Sequence, residues 1–185
     1  MTPVSGPLGS DFVIRPGRPS DAQALAQFAA RTWAETFGPD NDPAHLAAHL
    51  ATAFGEHQQR GELTDPEFRT LLVEQGRILC GYVQVGRREP PACVAGPAPI
   101  EIARFYIDQP WHGRGLAQRL MTAAKDTARA LGGRTAWLGV WELNPRAIGF
   151  YTKCGFLDVG TTDFWVGSDR QTDRVMVAPL DLPPR

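Results

Sequence analysis

The sequence predicts an α/β (α+β) fold in which strands and helices interleave as β-α-α-β-β-β-α-β-α-β-β. Two observations carry that prediction. A half-alternating, β-rich run at 101–108 meets a turn containing Pro110, Gly113 and Gly115 and then a long amphipathic helix. A second strand-like run, Trp137 to Trp141, leads to Asn144-Pro145, where Asn suits the N-cap and Pro the first helical position.

In chain order, residues 1–10 are small and Pro/Gly-rich and are expected to be a disordered tail. Residues 6–10 also resemble the remnant of a cleaved tag. Residues 11–185 are expected to form one domain. A short strand starts at Phe12. Helices are predicted over 21–37, opening at Ser20, and over 43–54. Residues 56–68 are polar and irregular, helical in part. Strands follow at 69–74 and 77–87, joined by a hairpin turn at Gln75-Gly76. A Pro-rich loop at 88–99 delays the strand at 101–108. In the helix after it, Leu116, Leu120, Met121, Ala124, Ala128 and Leu131 fall near one face. Gly132-Gly133 tolerates the left-handed conformation that closes a helix. Gly155 stops the short helix after Asn144, and strands at 157–166 and 174–180 flank a turn at 167–173.

Composition narrows the function. The 185 residues are 43% hydrophobic and 21% charged, as in an ordinary globular chain, and long enough for a sizeable core. A net charge of −1 gives no argument for nucleic acid or an anionic membrane. No apolar run suggests a membrane span, and no basic-plus-apolar signal pattern opens the chain. Cys80, Cys93 and Cys154 form no C-x-x-C pair and are expected to be reduced thiols in a cytoplasmic protein. Cys154 has no histidine paired with it in sequence and reads as a small hydrophobe. His45 and His49 have i,i+4 spacing without H-E-x-x-H or an acidic third ligand, so no metal site is expected.

The strand–glycine turn–helix unit is the first functional signal. It aims several backbone N–H groups at one spot, with the positive end of a helix dipole behind them, which suits a phosphate or pyrophosphate. Its spacing is neither G-x-G-x-x-G nor a P-loop. His112-Gly113-Arg114-Gly115-Leu116-Ala117 resembles the pyrophosphate loop, Q/R-x-x-G-x-G/A, of the GNAT superfamily of acyl-CoA-dependent N-acyltransferases, with His at the first position. Residues 135–156, TAWLGVWELNPRAIGFYTKCGF, resemble the superfamily's next signature, with Asn144, Ala147 and Tyr151 on one helical face.

The resemblance covers nearly the whole chain. It implies the GNAT fold: a central mixed, mostly antiparallel sheet whose fourth and fifth strands splay apart, with helices on both faces. It implies acetyl-CoA as cosubstrate, entering that gap and pairing its pantetheine with the exposed edge of the fourth strand. The matching positions are Phe105 and Ile107, whose N–H groups share one side. One of them could polarise the thioester carbonyl.

An alkyl amine, with a pKa of roughly 10.4, is protonated at neutral pH, so something must accept its proton. Glu101 matches the general-base position of some family members. Tyr151 matches the acid that protonates the departing thiolate, and Asn144 the residue that hydrogen-bonds CoA or an ordered water. Direct attack on the thioester needs no covalent enzyme intermediate. In the crowded turn, a carboxylate at Gly115 should abolish CoA binding.

Within the superfamily the wording is most similar to the bacterial spermidine or polyamine N-acetyltransferase-like group. Trp33, Glu35, Phe37, Tyr106 and Glu142 are candidates for holding an extended cation. A protein N-terminal or lysine acetyltransferase and a non-catalytic acyl-CoA-binding regulator remain as alternatives. Phe164-Trp165 offers apolar material for a homodimer.

Overall fold

Alternation along the central strands builds a sheet with two apolar faces, and each face collects its own helices. The computed structural model describes residues 12–40 and 42–180; the tail expected at 1–10 lies outside them. The elements are β1 (Phe12–Pro16), α1 (Ala22–Phe37), α2 (Pro43–Ala53), α3 (Glu56–Thr64), β2 (Phe68–Gln75) and β3 (Ile78–Gly86). They continue with β4 (Pro99–Ile107), α4 (Leu116–Ala130), β5 (Thr135–Trp141), α5 (Pro145–Lys153), β6 (Leu157–Val166) and β7 (Asp169–Pro179). One sheet of seven strands runs β1-β2-β3-β4-β5-β7-β6. Every pairing is antiparallel except that of β4 with β5.

One face of the sheet buries Val83, Val85, Ile100, Ile102, Leu138 and Met176 against Leu116, Leu120, Met121, Ala124 and Ala128 of α4 and Tyr151 of α5. The other buries Leu72 and Tyr82 against Leu25, Phe28, Ala29 and Trp33 of α1, with Leu46, Leu50 and Leu63 packed at the margin from α2 and α3. The predicted apolar face of α4 is thus the buried one. α4 ends as read: Gly132 adopts φ +82°, and the N–H groups of Gly133 and Gly132 close onto the carbonyls of Ala128 (2.9 Å) and Arg129 (2.8 Å).

Two elements differ from the sequence reading. Residues 56–64 form a regular helix although they carry no apolar stripe. Buried Gln59 anchors it by donating to the Ala53 carbonyl at 3.3 Å, and Glu62 takes Arg104 at 2.6 Å and Gln84 at 2.8 Å. The turn placed at 167–173 shrinks to Gly167-Ser168, with Val166 paired to Asp169 and Gly167 at φ +61°. β7 therefore begins at Asp169, and its polar first half belongs to the sheet.

Candidate active site

β4 and β5 run parallel for three register pairs only, Pro99↔Thr135, Ile100↔Ala136 and Glu101↔Trp137. Beyond Glu101 they part, and β4 has no strand on its β5 side from Ile102 to Ile107. A bulge at Ala103 interrupts the pairing of β4 with β3, between Val85↔Ile102 and Gln84↔Arg104. The gap opens into a cleft of about 1130 Å³ that reaches both faces of the sheet.

At one mouth stands the turn before α4. Gly113 and Gly115 adopt φ +74° and +75°, on either side of Arg114, and no side chain caps the helix. Among the described residues, no backbone N–H from Gly113 to Gln118 donates to a protein acceptor. Such a run of unpaired donors at the positive end of a helix is a cradle for an anion. His112 fastens it: its Nε2 lies 2.7 Å from the Ile107 carbonyl, tying the turn to the end of β4.

The Leu116 side chain is buried in the core, so only its backbone faces the cradle. The Arg114 side chain lies outside the cleft lining and stacks on Trp111, its guanidinium carbon 5.1 Å from the ring centre. The expected crowding at Gly115 is absent: a Cβ built there meets nothing within 4 Å. What demands glycine there is the positive φ.

α5 carries the next group. The Asn144 side chain accepts the Ala147 N–H at 3.0 Å, so the residue read as a CoA contact also caps the helix. Gly155, at φ +84°, ends it. Tyr151 is buried, its ring held by Phe105 at 6.2 Å, Phe150 at 5.4 Å and Phe156 at 5.9 Å. It lines the cleft, and its hydroxyl makes no hydrogen bond among the described residues. Burial pushes its pKa far above the ordinary value, so the phenol is neutral. Phe105 packs against Phe150 at 5.5 Å and, with Ile107, on the α4 face.

Glu101 sits at the crotch where the strands part. Its side chain is 14% exposed, with Arg88 Nε at 3.5 Å, an ion-pair distance that makes no hydrogen bond. Burial raises its pKa, against the pull of Arg88 and Arg104. On the α1 side the cleft has an aromatic wall: His49 stacks on Trp33 at 4.5 Å and meets Phe164 edge-on at 5.7 Å, and Phe37 meets Trp141 at 5.8 Å. Of the candidates for cation recognition, Trp33, Glu35, Phe37 and Tyr106 line this cleft; Glu142 is exposed outside it. Glu35 is paired with Arg31, which also pairs with Asp108.

Asp173, which sequence reasoning assigned to a turn, is one of the carboxylates that line the cleft, and it shares its sheet face with Trp141. Burial, and then the charge of Glu142, pushes its pKa up to about 6. A signal for it existed in Gly139, a glycine inside a strand.

The acetyltransferase (GNAT) family profile matches residues 23–156, more than half of the chain. The chain belongs to this family. Membership makes it an N-acetyltransferase, and acetyl-CoA the acyl donor. The unpaired cradle and the open edge of β4 fit that donor. An uncharacterised N-acetyltransferase of Lactobacillus delbrueckii subsp. lactis is 32% identical over 161 residues, covering 86% of this acetyltransferase and 92% of the relative. An uncharacterised N-acetyltransferase of Mycobacterium bovis is also 32% identical, covering 87% and 99%. Among solved structures, the PaiA N-acetyltransferase of Thermoplasma acidophilum in complex with coenzyme A superposes with a TM-score of 0.74 at 16% identity, covering 92% of this chain and 99% of that one. A chimeric spermidine N-acetyltransferase SpeG from Vibrio cholerae and hSSAT superposes at 0.65 with 20% identity, covering 92% and 96%. At these identities the superpositions establish the fold.

Proposed function

We propose that this acetyltransferase moves the acetyl group of acetyl-CoA to a primary amine of a small molecule such as a polyamine, by direct attack of the amine on the thioester. The observation that carries the reading is the aromatic, carboxylate-bearing half of the cleft, facing the open edge of β4 opposite the anion cradle. The backbone N–H groups of residues 113–118 bind the pyrophosphate. The edge of β4 at Phe105 and Ile107 orients the pantetheine, and one of its N–H groups supports negative charge on the thioester oxygen. Glu101 draws the proton from the amine, directly or through water, and Tyr151 donates one to the departing sulfur. Asn144 caps α5 through Oδ1 and offers Nδ2 to CoA.

The spermidine acetyltransferase among the structural neighbours supports a polyamine acceptor. An N-alpha-acetyltransferase of Mycobacterium tuberculosis, 31% identical over 101 residues that cover 54% of this chain, supports a protein acceptor instead. The protein works in the cytoplasm, a reading supported by its three unpaired thiols; among the described residues no helix is long and apolar enough to cross a membrane. Exposed Leu157, Val159 and Trp165 on the edge strand β6 support a homodimer, which a light-scattering mass at micromolar concentration tests.

The deciding experiment measures thiol release from acetyl-CoA against polyamines, amino acids, aminoglycosides and short peptides. Turnover with spermidine or spermine is expected. Turnover with peptides alone moves the assignment to protein acetylation, and acetyl-CoA binding with no turnover moves it to a regulator.

A further inference from the structure

Of the five carboxylates that line the cleft, only Glu101 and Asp173 are withdrawn from solvent, and their surroundings differ. Glu101 has cations within reach, Arg88 and Arg104. Asp173 has none: among the described residues its carboxylate forms no ion pair and no hydrogen bond, and the charge that acts on it is that of Glu142. It is nevertheless half-buried, on the sheet face that carries Trp137, Gly139 and Trp141 of β5, with Trp141 as its register partner. A half-buried carboxylate without a counter-charge lowers stability unless something else supplies the cation.

Gly139 makes the room. A Cβ at that position would stand 3.1 Å from Asp173 Oδ2, so any other residue would press on the carboxylate. Gly139 also lines the cleft, where β5 has already left β4. Tyr106 stands close enough to feel the charge of Asp173. Trp33, His49, Phe164 and Trp141 complete an aromatic surround that attracts organic cations.

The attacking amine must be neutral, so a full counter-charge serves a cation that persists through the reaction. We infer that Asp173 anchors a second ammonium group of the acceptor, one that is not acetylated, within the aromatic half of the cleft. The inference rests on the amine-transfer reading and narrows it to acceptors carrying two separated positive charges. The register partners of the two carboxylates set the scale: Glu101 stands beside Trp137 and Asp173 beside Trp141, a strand length of roughly 13 Å. That span suits an extended diamine or polyamine rather than a compact one.

The test compares hexamethylenediamine with hexylamine, which match in carbon chain and differ by one charge. Calorimetric titration of each into the protein saturated with CoA reads binding without turnover, and thiol release from acetyl-CoA is followed in parallel. The wild type is expected to bind the diamine roughly tenfold to hundredfold more tightly, the range for a charge-assisted contact. Asp173→Asn should erase that difference while leaving hexylamine binding and the KM for acetyl-CoA unchanged. Equal binding of both amines by the wild type overturns the inference, as does a preference that survives in D173N or a loss of hexylamine binding in D173N. Turnover of hexylamine with no diamine preference leaves amine transfer standing and removes the anchor. A diamine preference that depends on Asp173 without turnover of any amine does the reverse.

Discussion

The Tyr151 side chain is held by its ring while its hydroxyl bonds to nothing among the described residues, and that asymmetry makes its role testable. Phe105, Phe150 and Phe156 surround the ring, so Tyr151→Phe keeps the packing and removes one oxygen. If the hydroxyl gives its proton to the leaving thiolate, kcat should fall by more than about tenfold, and by about a hundredfold where the acid works at the usual strength. Affinity for acetyl-CoA and the melting temperature should stay near those of the wild type. A variant with undiminished kcat shows that the acid is another group. Tyr151 could be picked out from sequence because residues 135–156 resemble the family's signature, in which a tyrosine follows Asn144 on the same helix face. Asp173 was harder to see: its standing depends on Gly139 in a neighbouring strand and on its carboxylate having no ion pair among the described residues. Neither condition is written in the residues around it.

At the scale of elements, α5 and the turn before α4 separate structure from chemistry. Asn144 caps α5 through Oδ1 and also lines the cleft, which leaves its Nδ2 as the atom that would meet CoA in the proposed reading. Asn144→Asp keeps the cap and loses the donor; Asn144→Ala loses both. The alanine variant should be less stable by about 1 kcal/mol, the usual worth of an N-cap, and the aspartate variant should not. If Nδ2 contacts CoA, both variants should weaken acetyl-CoA binding. Full affinity in Asn144→Asp reduces the residue to a cap.

At the turn, Gly115→Asp should cut acetyl-CoA binding strongly, and the cause is charge. The added side chain has room, and aspartate tolerates the left-handed conformation better than most residues. Gly115→Asn, equal in size and neutral, should therefore retain much more affinity, and equal losses in the two would refute the electrostatic account. Both motifs were legible because they are local: a cap, a proline, two glycines and an apolar period lie within one stretch of chain. α3 and the first half of β7 were not. EHQQRGELT has no apolar stripe, and its helix is fixed by Gln59 and by the contact of Glu62 with Arg104 on β4. DRQTD reads as a turn and becomes strand because β6 supplies the hydrogen-bonding partner.

For the whole molecule, Asp173 ties function to stability with a definite sign. Its pKa rises from the ordinary 3.8 to about 6 in the fold, mainly through burial. The folded state therefore holds this proton more tightly than the unfolded chain. Stability from that difference is fully present below the unfolded value, declines as pH rises between the two, and is lost above the folded value. At pH 7 the wild type bears the cost of a half-buried, uncompensated charge, about 3 kcal/mol at most. Asp173→Asn removes that charge, so at pH 7 it should melt several degrees above the wild type. Near pH 4 the aspartate is protonated and the two melting curves should converge. A bound diamine should close the gap from the other side, raising the melting temperature of the wild type by mass action and that of D173N much less. A melting difference that is the same at both pH values would trace the gain to packing rather than charge, and would leave Asp173 without the electrostatic vacancy on which the second-ammonium site depends.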